Sequence, residues 1–109
     1  MSFYINGGEI KYAAIPNVGA GTAAIVAAPG AGNRIIVLGV HMVVTAALET
    51  FIWKSATTAI WPATLTAINQ VIMASSPYGI MACAANEALN LTTVVANSIA
   101  GVVVYRIEP

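Results

Sequence analysis

The sequence predicts an all-β domain built from short antiparallel strands, and three observations lead to this fold class. Val, Ile and Thr are frequent, and these residues lose side-chain freedom in a helix but pack well on a pleated sheet. The apolar segments are short, and Gly, Pro, Asn and Ser separate them at fairly even intervals, which is typical of a sandwich or barrel. The length of 109 residues allows one domain with one core.

The predicted strands follow one another with a turn signal after most of them. Residues 9–15 precede Pro16, and residues 22–28 precede a glycine-rich loop at residues 29–33. Residues 35–45 form the clearest strand, because its even positions are all large and apolar and would share one core-facing side. These even positions are Ile36, Leu38, Val40, Met42 and Val44.

The remaining strands are predicted at residues 50–55, 59–61, 79–84, 88–95 and 99–107. Residues 65–74 fit either a strand or a short helix, because Leu65, Ile68 and Ile72 are compatible with helical spacing. About eight strands result, the number expected for a single-domain jelly-roll β-sandwich. We expect residues 1–15 to form an N-terminal arm or edge strand and residues 16–109 to form the jelly-roll domain.

The composition excludes several classes of function. The chain is 59% hydrophobic, and only 7% of its residues are charged, against roughly 25% in typical soluble domains. Four basic residues and a net charge of zero argue against a nucleic-acid or anionic-membrane partner. Turn residues interrupt every uncharged stretch before it reaches the roughly 20 apolar residues of a membrane-spanning helix. The first residues also lack the basic start and apolar core of a signal peptide.

The strongest predicted strands carry apolar residues on both faces. A small monomeric sandwich normally keeps one solvated face, which gives strict alternation of apolar and polar residues. A chain of this size buries only about 65% of its unfolded surface, so part of this apolar material would stay exposed in a monomer. Extended exposed apolar patches usually mark interfaces. The sequence therefore predicts a homo-oligomer.

One glycine motif resembles a nucleotide-binding loop in its spacing alone. Gly19, Gly21 and Ala24 have the Gly-x-Gly-x-x-Ala spacing of dinucleotide-binding folds. A helix must follow this motif, and the Pro29-Gly30 turn leaves no room for one. We interpret these residues, and the second glycine-rich loop at residues 29–34, as connections between strands, with no cofactor bound.

The other candidate catalytic groups are few. His41 and Cys83 are each the single residue of their type, and a Cys/His nucleophilic pair is conceivable. Together they cannot complete a four-ligand zinc site in one chain. Glu49 and Glu87 both lie beside predicted turns, so a glycosidase-type pair stays open, although exposed turn carboxylates are the ordinary explanation. We predict no catalytic residue, no metal site and no small-molecule substrate.

Four segments carry a resemblance to a known family. They are residues 28–39 (APGAGNRIIVLG), 76–79 (SPYG), 86–91 (NEALNL) and 101–105 (GVVVY). Over residues 22–107 the chain resembles the small jelly-roll decoration, or cement, proteins of tailed bacteriophages. Residues 61–74 depart from the pattern, because they lack the glycine-rich hairpin usual there.

The resemblance implies a homotrimer on the outer surface of an icosahedral head, where it bridges neighbouring major capsid subunits. It implies a virion protein made in the host cytoplasm, with no catalysis and no cofactor. An attachment or receptor- and glycan-binding module of a phage tail or fibre is the alternative function.

Two sets of residues are candidates for the contacts of such a protein. The candidate capsid contact lies in the N-terminal arm, for which a frayed terminus or an extra edge strand is the alternative. It comprises Phe3, Tyr4, Ile5 and Tyr12. The candidate subunit interface comprises Phe51, Trp53, Trp61 and Tyr78, because large aromatic side chains dominate such contacts.

Overall fold

The computed structural model describes residues 4–5, 8–16, 20–46, 48–95 and 98–109. Within these residues the chain forms strands and no helix, so the all-β prediction is confirmed. The strands are β1 (Tyr4–Ile5), β2 (Gly8–Glu9), β3 (Lys11–Ile15), β4 (Gly21–Val26), β5 (Arg34–Val44), β6 (Glu49–Ser55), β7 (Thr58–Ala59), β8 (Thr64–Thr66), β9 (Val71–Ser75), β10 (Met81–Ala82), β11 (Leu89–Thr93) and β12 (Ile99–Glu108). The described part of the chain accordingly contains no helix that could cross a membrane.

Two antiparallel sheets pack into a sandwich. Sheet I has the order β3–β12–β5, and β9 and β10 both pair with the free side of β5. Sheet II has the order β4–β11–β6, and β7 and β8 both pair with the free side of β6. Each sheet therefore has four strand positions, with its last position divided between two short strands. A separate ladder joins β1 to β2.

The core lies between the two sheets and contains apolar side chains from both. Sheet I contributes Ile15, Ile35, Val37, Val40, Met42, Val44, Met81, Ile99 and Val103. Sheet II contributes Val26, Phe51, Trp53, Leu89 and Leu91. Phe51 and Trp53 have no exposed area, so the two largest side chains of β6 fill the centre of the sandwich.

A β-bulge at Leu38 changes which side of β5 faces the core. Val37 pairs with Tyr105 of β12 and Gly39 pairs with Val104, so Leu38 has no partner in β12. An extra residue in one strand reverses the alternation of the side chains beyond it. The two halves of β5 therefore place opposite positions in the core.

The bulge corrects the predicted orientation of β5. Before it the odd positions Ile35 and Val37 lie in the core, and after it the even positions Val40, Met42 and Val44 do. The prediction that all even positions face the core is therefore wrong for the first half of the strand.

The even positions before the bulge are nevertheless buried, by a different part of the chain. Residues 76–80 run along the edge of β5 between β9 and β10, where the Ser76 N–H donates to the Leu38 carbonyl (2.8 Å) and the Ile80 N–H donates to the Val37 carbonyl (2.8 Å). Gly79 lies so close to β5 that a Cβ there would be 2.8 Å from Cγ2 of Ile36. This segment therefore packs against the Ile36 side chain, and both Ile36 and Leu38 are buried although they lie outside the core cluster.

Residues 65–74 form two strands of different sheets rather than a helix. Strand β8 pairs with β6, and β9 pairs with β5. Between them Asn69 adopts a positive φ of 66°, and the Gln70 N–H donates to the Ala67 carbonyl (3.1 Å). A left-handed residue ends regular structure, so the segment crosses from sheet II to sheet I through a turn.

Candidate functional site

The outer face of sheet I is apolar, and we call it the apolar face. The register of β3, β12, β5 and β9 shows which of their residues lie on this outer side of the sheet. They are Tyr12, Ala14, Gly39, His41, Val43, Val71, Met73, Ser75, Ala100, Val102 and Val104. Tyr12, Val71 and Met73 are each more than half exposed, and no charged residue belongs to the set. An outer sheet face in contact with water is normally polar.

Gly39 gives the apolar face a groove. It lies in the middle of β5 without a side chain, between Ser75 of β9 and Val104 of β12. Two adjoining depressions of about 280 and 270 Å³ share these three residues as their lining. A Cβ at Gly39 would lie 3.2 Å from the Ala74 carbonyl oxygen, so a larger residue here would fill the groove.

The outer face of sheet II differs, because polar side chains occupy its central strands. Thr22 and Thr92 share a hydrogen bond between their hydroxyl groups (2.8 Å). Asn90 donates from its side-chain amide to the Ala56 carbonyl (2.9 Å), and Lys54 lies beside it across the ladder. This face carries more polar groups than the apolar face, as a solvated sheet normally does, although Ile52 of β6 and the exposed Leu65 of β8 also belong to it.

Arg34, Arg106 and Glu108 form a charged cluster at one end of sheet I. Arg34 Nη2 lies 2.8 Å from Glu108 Oε1, and Arg106 Nη1 lies 2.8 Å from Glu108 Oε2. The hydrogen bonds from Arg34 and then from Arg106 lower the pKa of Glu108. The stabilisation they provide is present while Glu108 is ionised and is lost as the pH falls through this lowered pKa. The exposed Tyr78 lines a cleft of about 420 Å³ beside the cluster.

Glu49 is fully buried and holds backbone groups rather than facing a cleft. Its Oε1 accepts hydrogen bonds from the N–H groups of Thr50 (3.0 Å), Val94 (2.7 Å) and Val95 (2.9 Å). Its Oε2 accepts from the Ser98 hydroxyl (3.0 Å). A buried carboxylate with four donors is satisfied by the fold itself, which gives Glu49 a structural role.

Glu87 and Cys83 meet at Ser55, at the other end of β6. The Ser55 hydroxyl donates to Glu87 Oε1 (2.6 Å) and accepts from the Ala84 N–H (2.9 Å). Burial raises the pKa of the Cys83 thiol, the hydrogen bond to Ser55 partly opposes the increase, and the charge of Glu87 adds to it. A thiol with a raised pKa is a poor nucleophile at neutral pH.

We expect Cys83 to be alkylated slowly in the folded protein. Its burial and raised pKa should make the reaction with iodoacetamide near neutral pH at least about tenfold slower than in the denatured chain. Mass spectrometry of timed samples measures both rates, and the denatured chain serves as the control. Equal rates in the two states would contradict the buried position of the thiol.

The structure keeps the candidate catalytic pairs apart. The Cys83 N–H donates a hydrogen bond to the Ile35 carbonyl of β5. His41 lies six residues further along that strand, about 20 Å away, and on the opposite side of the sheet. Glu87 contacts Ser55, which is likewise six residues, or about 20 Å, from Glu49 along β6. Paired glycosidase carboxylates lie within about 10 Å of each other, so the chain does not assemble these pairs.

The glycine motifs form strand connections or strands. Gly21 and Ala24 of the Gly-x-Gly-x-x-Ala motif lie in strand β4, and Gly19 lies outside the described residues. In the second loop the Gly30 N–H donates to the Asn86 side chain (3.0 Å) and the Asn86 N–H donates to the Asn33 carbonyl (2.7 Å). The described residues also contain no group of three or more His, Cys, Asp or Glu side chains that could hold a metal ion.

The aromatic residues predicted for the subunit interface occupy different environments. Phe51 and Trp53 are fully buried in the core, so they cannot contact another subunit, and this part of the prediction is wrong. Trp61 is half-buried against the core, and its Nε1 donates to the Thr64 hydroxyl (3.3 Å). Tyr78 is exposed at the charged cluster. The prediction failed because aromatic size alone does not distinguish a core residue from an interface residue.

The candidate capsid contact is described only in part. Tyr12 is exposed on the apolar face. Phe3 and the side chains of Tyr4 and Ile5 lie outside the described residues. Sequence reasoning missed the aliphatic members of the apolar face, chiefly Val71, Met73, Val102 and Val104. The signal for them was the apolar character of both faces of the best strands, but only the register shows which side is open.

Comparisons with known proteins identify no family for this chain. No family model matches it, and no curated protein matches it. Among solved structures, the capsular polysaccharide assembling protein CapF from Staphylococcus aureus aligns over 98% of this chain at 5% identity and a TM-score of 0.30. The chain spans only 29% of the length of that protein. A similarity this weak carries no argument about fold or function.

Proposed function

We propose that the chain is a structural virion protein, a decoration or cement protein that binds the outer surface of an icosahedral phage head as a homotrimer. In this role it stabilises contacts between major capsid subunits and needs neither a catalytic residue nor a cofactor. The observation that carries the proposal is the apolar face, which is uncharged and partly exposed on an otherwise well-formed sandwich. The sequence resemblance over residues 22–107 supports it independently.

The proposal includes a jelly-roll topology. Each sheet has four strand positions, as a jelly roll requires. The chain also passes between the sheets at every step from β3 to β6 and again from β10 to β12. This repeated exchange between two four-position sheets supports a jelly roll rather than a sandwich of simple hairpins.

A threefold arrangement would bury the apolar face between neighbouring subunits. Around a cyclic axis one subunit contacts one neighbour with part of a surface and the other neighbour with another part. Burying a valine or methionine side chain contributes about 1.5–3 kcal/mol, and the apolar face offers several. The face has no charged group whose burial would oppose association.

We expect the substitution Val102→Asp to dissociate the homotrimer. Val102 lies half-buried on the central strand of the apolar face, where a carboxylate inside an interface would cost several kcal/mol. Thr92→Asp is the matched control, because Thr92 is half-buried on the central strand of the polar outer face of sheet II. Light scattering should give three times the 11.2 kDa chain mass for the wild type and the control, and the monomer mass for Val102→Asp. A monomeric wild type, or a trimeric Val102→Asp variant, would contradict the proposed interface.

The copy number in purified particles tests the location on the head. Because an icosahedral shell repeats each docking position many times, we expect on the order of hundreds of copies per head. Quantitative mass spectrometry against the major capsid protein measures this number. A handful of copies per particle would instead support the tail or fibre module.

One observation favours that alternative function. The exposed ring of Tyr78 lies beside the Arg34, Arg106 and Glu108 side chains in an open cleft. An aromatic surface next to several hydrogen-bonding groups can hold a polar ligand such as a glycan. Glycan-array binding that is lost in a Tyr78→Ala variant would support a receptor-binding module.

A further inference from the structure

The charged side chains of the chain are concentrated at one end of the sandwich. This charged end holds the start of β5, the end of β12 and the end of β6. Its charged residues are Glu9, Lys11, Arg34, Lys54, Glu87, Arg106 and Glu108. The one other charged residue of the chain, Glu49, lies at the opposite end and is fully buried. No charged side chain of the protein is therefore exposed at that opposite end.

The uncharged end exposes large apolar side chains on three loops. Leu48 lies between β5 and β6 and is 58% exposed, Ile68 lies between β8 and β9 and is 51% exposed, and Val94 lies between β11 and β12 and is 67% exposed. We call these three residues the apolar tip. The same loops also expose the polar residues Thr45, Asn69 and Gln70. Three large apolar side chains exposed on the loops of one end are nevertheless unusual, because loop residues in contact with water are normally polar.

Hydrogen bonds tie the described residues of these three loops to the sheets beneath and to one another. The loop after β8 is tied to β5, because the Asn69 N–H donates to the Val44 carbonyl (2.9 Å) and the Val44 N–H donates to the Gln70 carbonyl (3.0 Å). The loop after β5 is tied to the loop after β11, because the Thr45 N–H donates to the Ser98 carbonyl (2.7 Å).

Glu49 anchors the same loops from inside. Its carboxylate accepts from the Val94 and Val95 N–H groups and from the Ser98 hydroxyl. Its backbone carbonyl accepts from the Thr66 hydroxyl at the end of β8 (2.9 Å). The apolar tip is therefore held in place before it meets a partner, and a preformed surface loses less conformational entropy on binding.

We propose that the apolar tip is the part of the protein that docks onto the shell, in an uncharged apolar depression of the major capsid protein. This inference rests on the proposed function and assigns the capsid contact to the apolar tip in place of the N-terminal arm, because Tyr4 of the arm pairs with Glu9 at the charged end. Charge complementarity selects the partner surface, because a Lys, Arg, Asp or Glu buried against the tip would find no counterion there. The charged end, at the other extremity of the sandwich, then faces solvent.

The size of the apolar tip favours docking by a trimer over pairing between two tips. A stable two-body interface buries about 800 Å² on each partner, and three partly exposed side chains provide much less. A rotation about a threefold axis keeps equivalent residues at the same height, so a homotrimer whose axis runs along the strands presents three tips on one side. Three weak contacts made at the same time by one trimer give a much higher overall affinity for the shell than a single contact does.

Binding to heads that lack the protein tests this inference. The probe is a preparation of heads assembled from the major capsid protein of the same virus without the decoration protein, and binding of the full chain is measured by co-sedimentation. We expect Leu48→Lys and Ile68→Lys to weaken binding at least about tenfold, because each places a charge in the apolar contact. Thr58→Lys is the control, since Thr58 is exposed on β7 at the charged end. All three positions are exposed, so thermal unfolding and the trimer mass should stay those of the wild type.

Each result separates the inference from the proposed function. If the wild type does not bind the heads, both are overturned. If the wild type binds and the Leu48→Lys and Ile68→Lys variants bind equally well, the proposed function stands and the role of the apolar tip is overturned. Loss of the trimer in these variants would make the tip a contact between subunits, and flotation of the wild type with phosphatidylcholine vesicles would make it a lipid-binding surface. Either of these results also contradicts docking of the tip to the shell.

Discussion

Replacing Glu49 with alanine is expected to lower the free energy of unfolding by about 4 kcal/mol. The substitution leaves the half-buried N–H groups of Thr50, Val94 and Val95 without the acceptor that the fully buried Glu49 side chain provides. Each buried donor that loses its partner costs about 1–3 kcal/mol. A small domain has only about 5–15 kcal/mol of stability in total, so this single change removes a large part of it.

Glu49→Gln should cost about half as much, because the amide keeps one acceptor oxygen for the backbone donors and loses the charge that strengthens those bonds. Urea unfolding at a fixed protein concentration measures both variants, since association couples to stability. Glu9→Gln is the control, because the Glu9–Lys11 ion pair is exposed (3.5 Å) and such pairs contribute less than about 1 kcal/mol. An unfolding midpoint of Glu49→Ala equal to that of Glu9→Gln would contradict the structural role of Glu49.

Gly101→Ala is expected to disrupt the pairing of β12 with β5 and to cost about 3 kcal/mol or more. A Cβ at Gly101 would overlap the carbonyl oxygen of His41 and lie 2.9 Å from Cα of Met42. Both are backbone atoms of β5, the strand that pairs with β12, so no side-chain rotation can relieve the overlap. Overpacking that forces backbone shifts costs typically 1–3 kcal/mol and occasionally more.

Gly39→Ala provides the matched control for Gly101→Ala. Gly39 also lies within a strand of sheet I, but a Cβ there would come no closer than 3.2 Å to its nearest neighbour, the Ala74 carbonyl oxygen. We expect this variant to lose about 1 kcal/mol, because the β9 backbone must shift by only a few tenths of an ångström. Thermal unfolding of the two variants compares them directly, and similar unfolding temperatures would show that β12 does not approach β5 as closely as described.

Strand content was predictable because it depends on local patterns. The β-branched residues and the turn residues mark most of the strands, and β5, β6, β11 and β12 lie within one or two residues of their predicted bounds. The bulge at Leu38 was not predictable, because an uninterrupted apolar sequence runs through it and only the pairing with β12 reveals the extra residue. Residues 65–74 also depend on pairing, since their two halves find partners in different sheets.

The site residues show the same limit. Aromatic size predicted Phe51 and Trp53 as interface residues. The odd positions of β6 face sheet I, however, so both side chains are buried in the core. Glu49 read as an ordinary turn carboxylate, although loops distant in sequence bring their N–H groups to it and bury it. No pattern of neighbouring residues in the sequence reveals burial or a hydrogen-bond partner that is distant in the chain.

Composition and periodicity alone therefore predicted an all-β chain, which is confirmed, and they predicted association from the low charge and the two-sided apolar strands, which stays a prediction. The packing of the two sheets established the rest. One outer face is almost wholly apolar and the other is mixed, and the charged side chains gather at one end while Leu48, Ile68 and Val94 lie at the other. The physical reason is that strand patterns arise from neighbouring residues. Which residues lie on the same face or at the same end of the sandwich depends on the register between strands that are far apart in the chain.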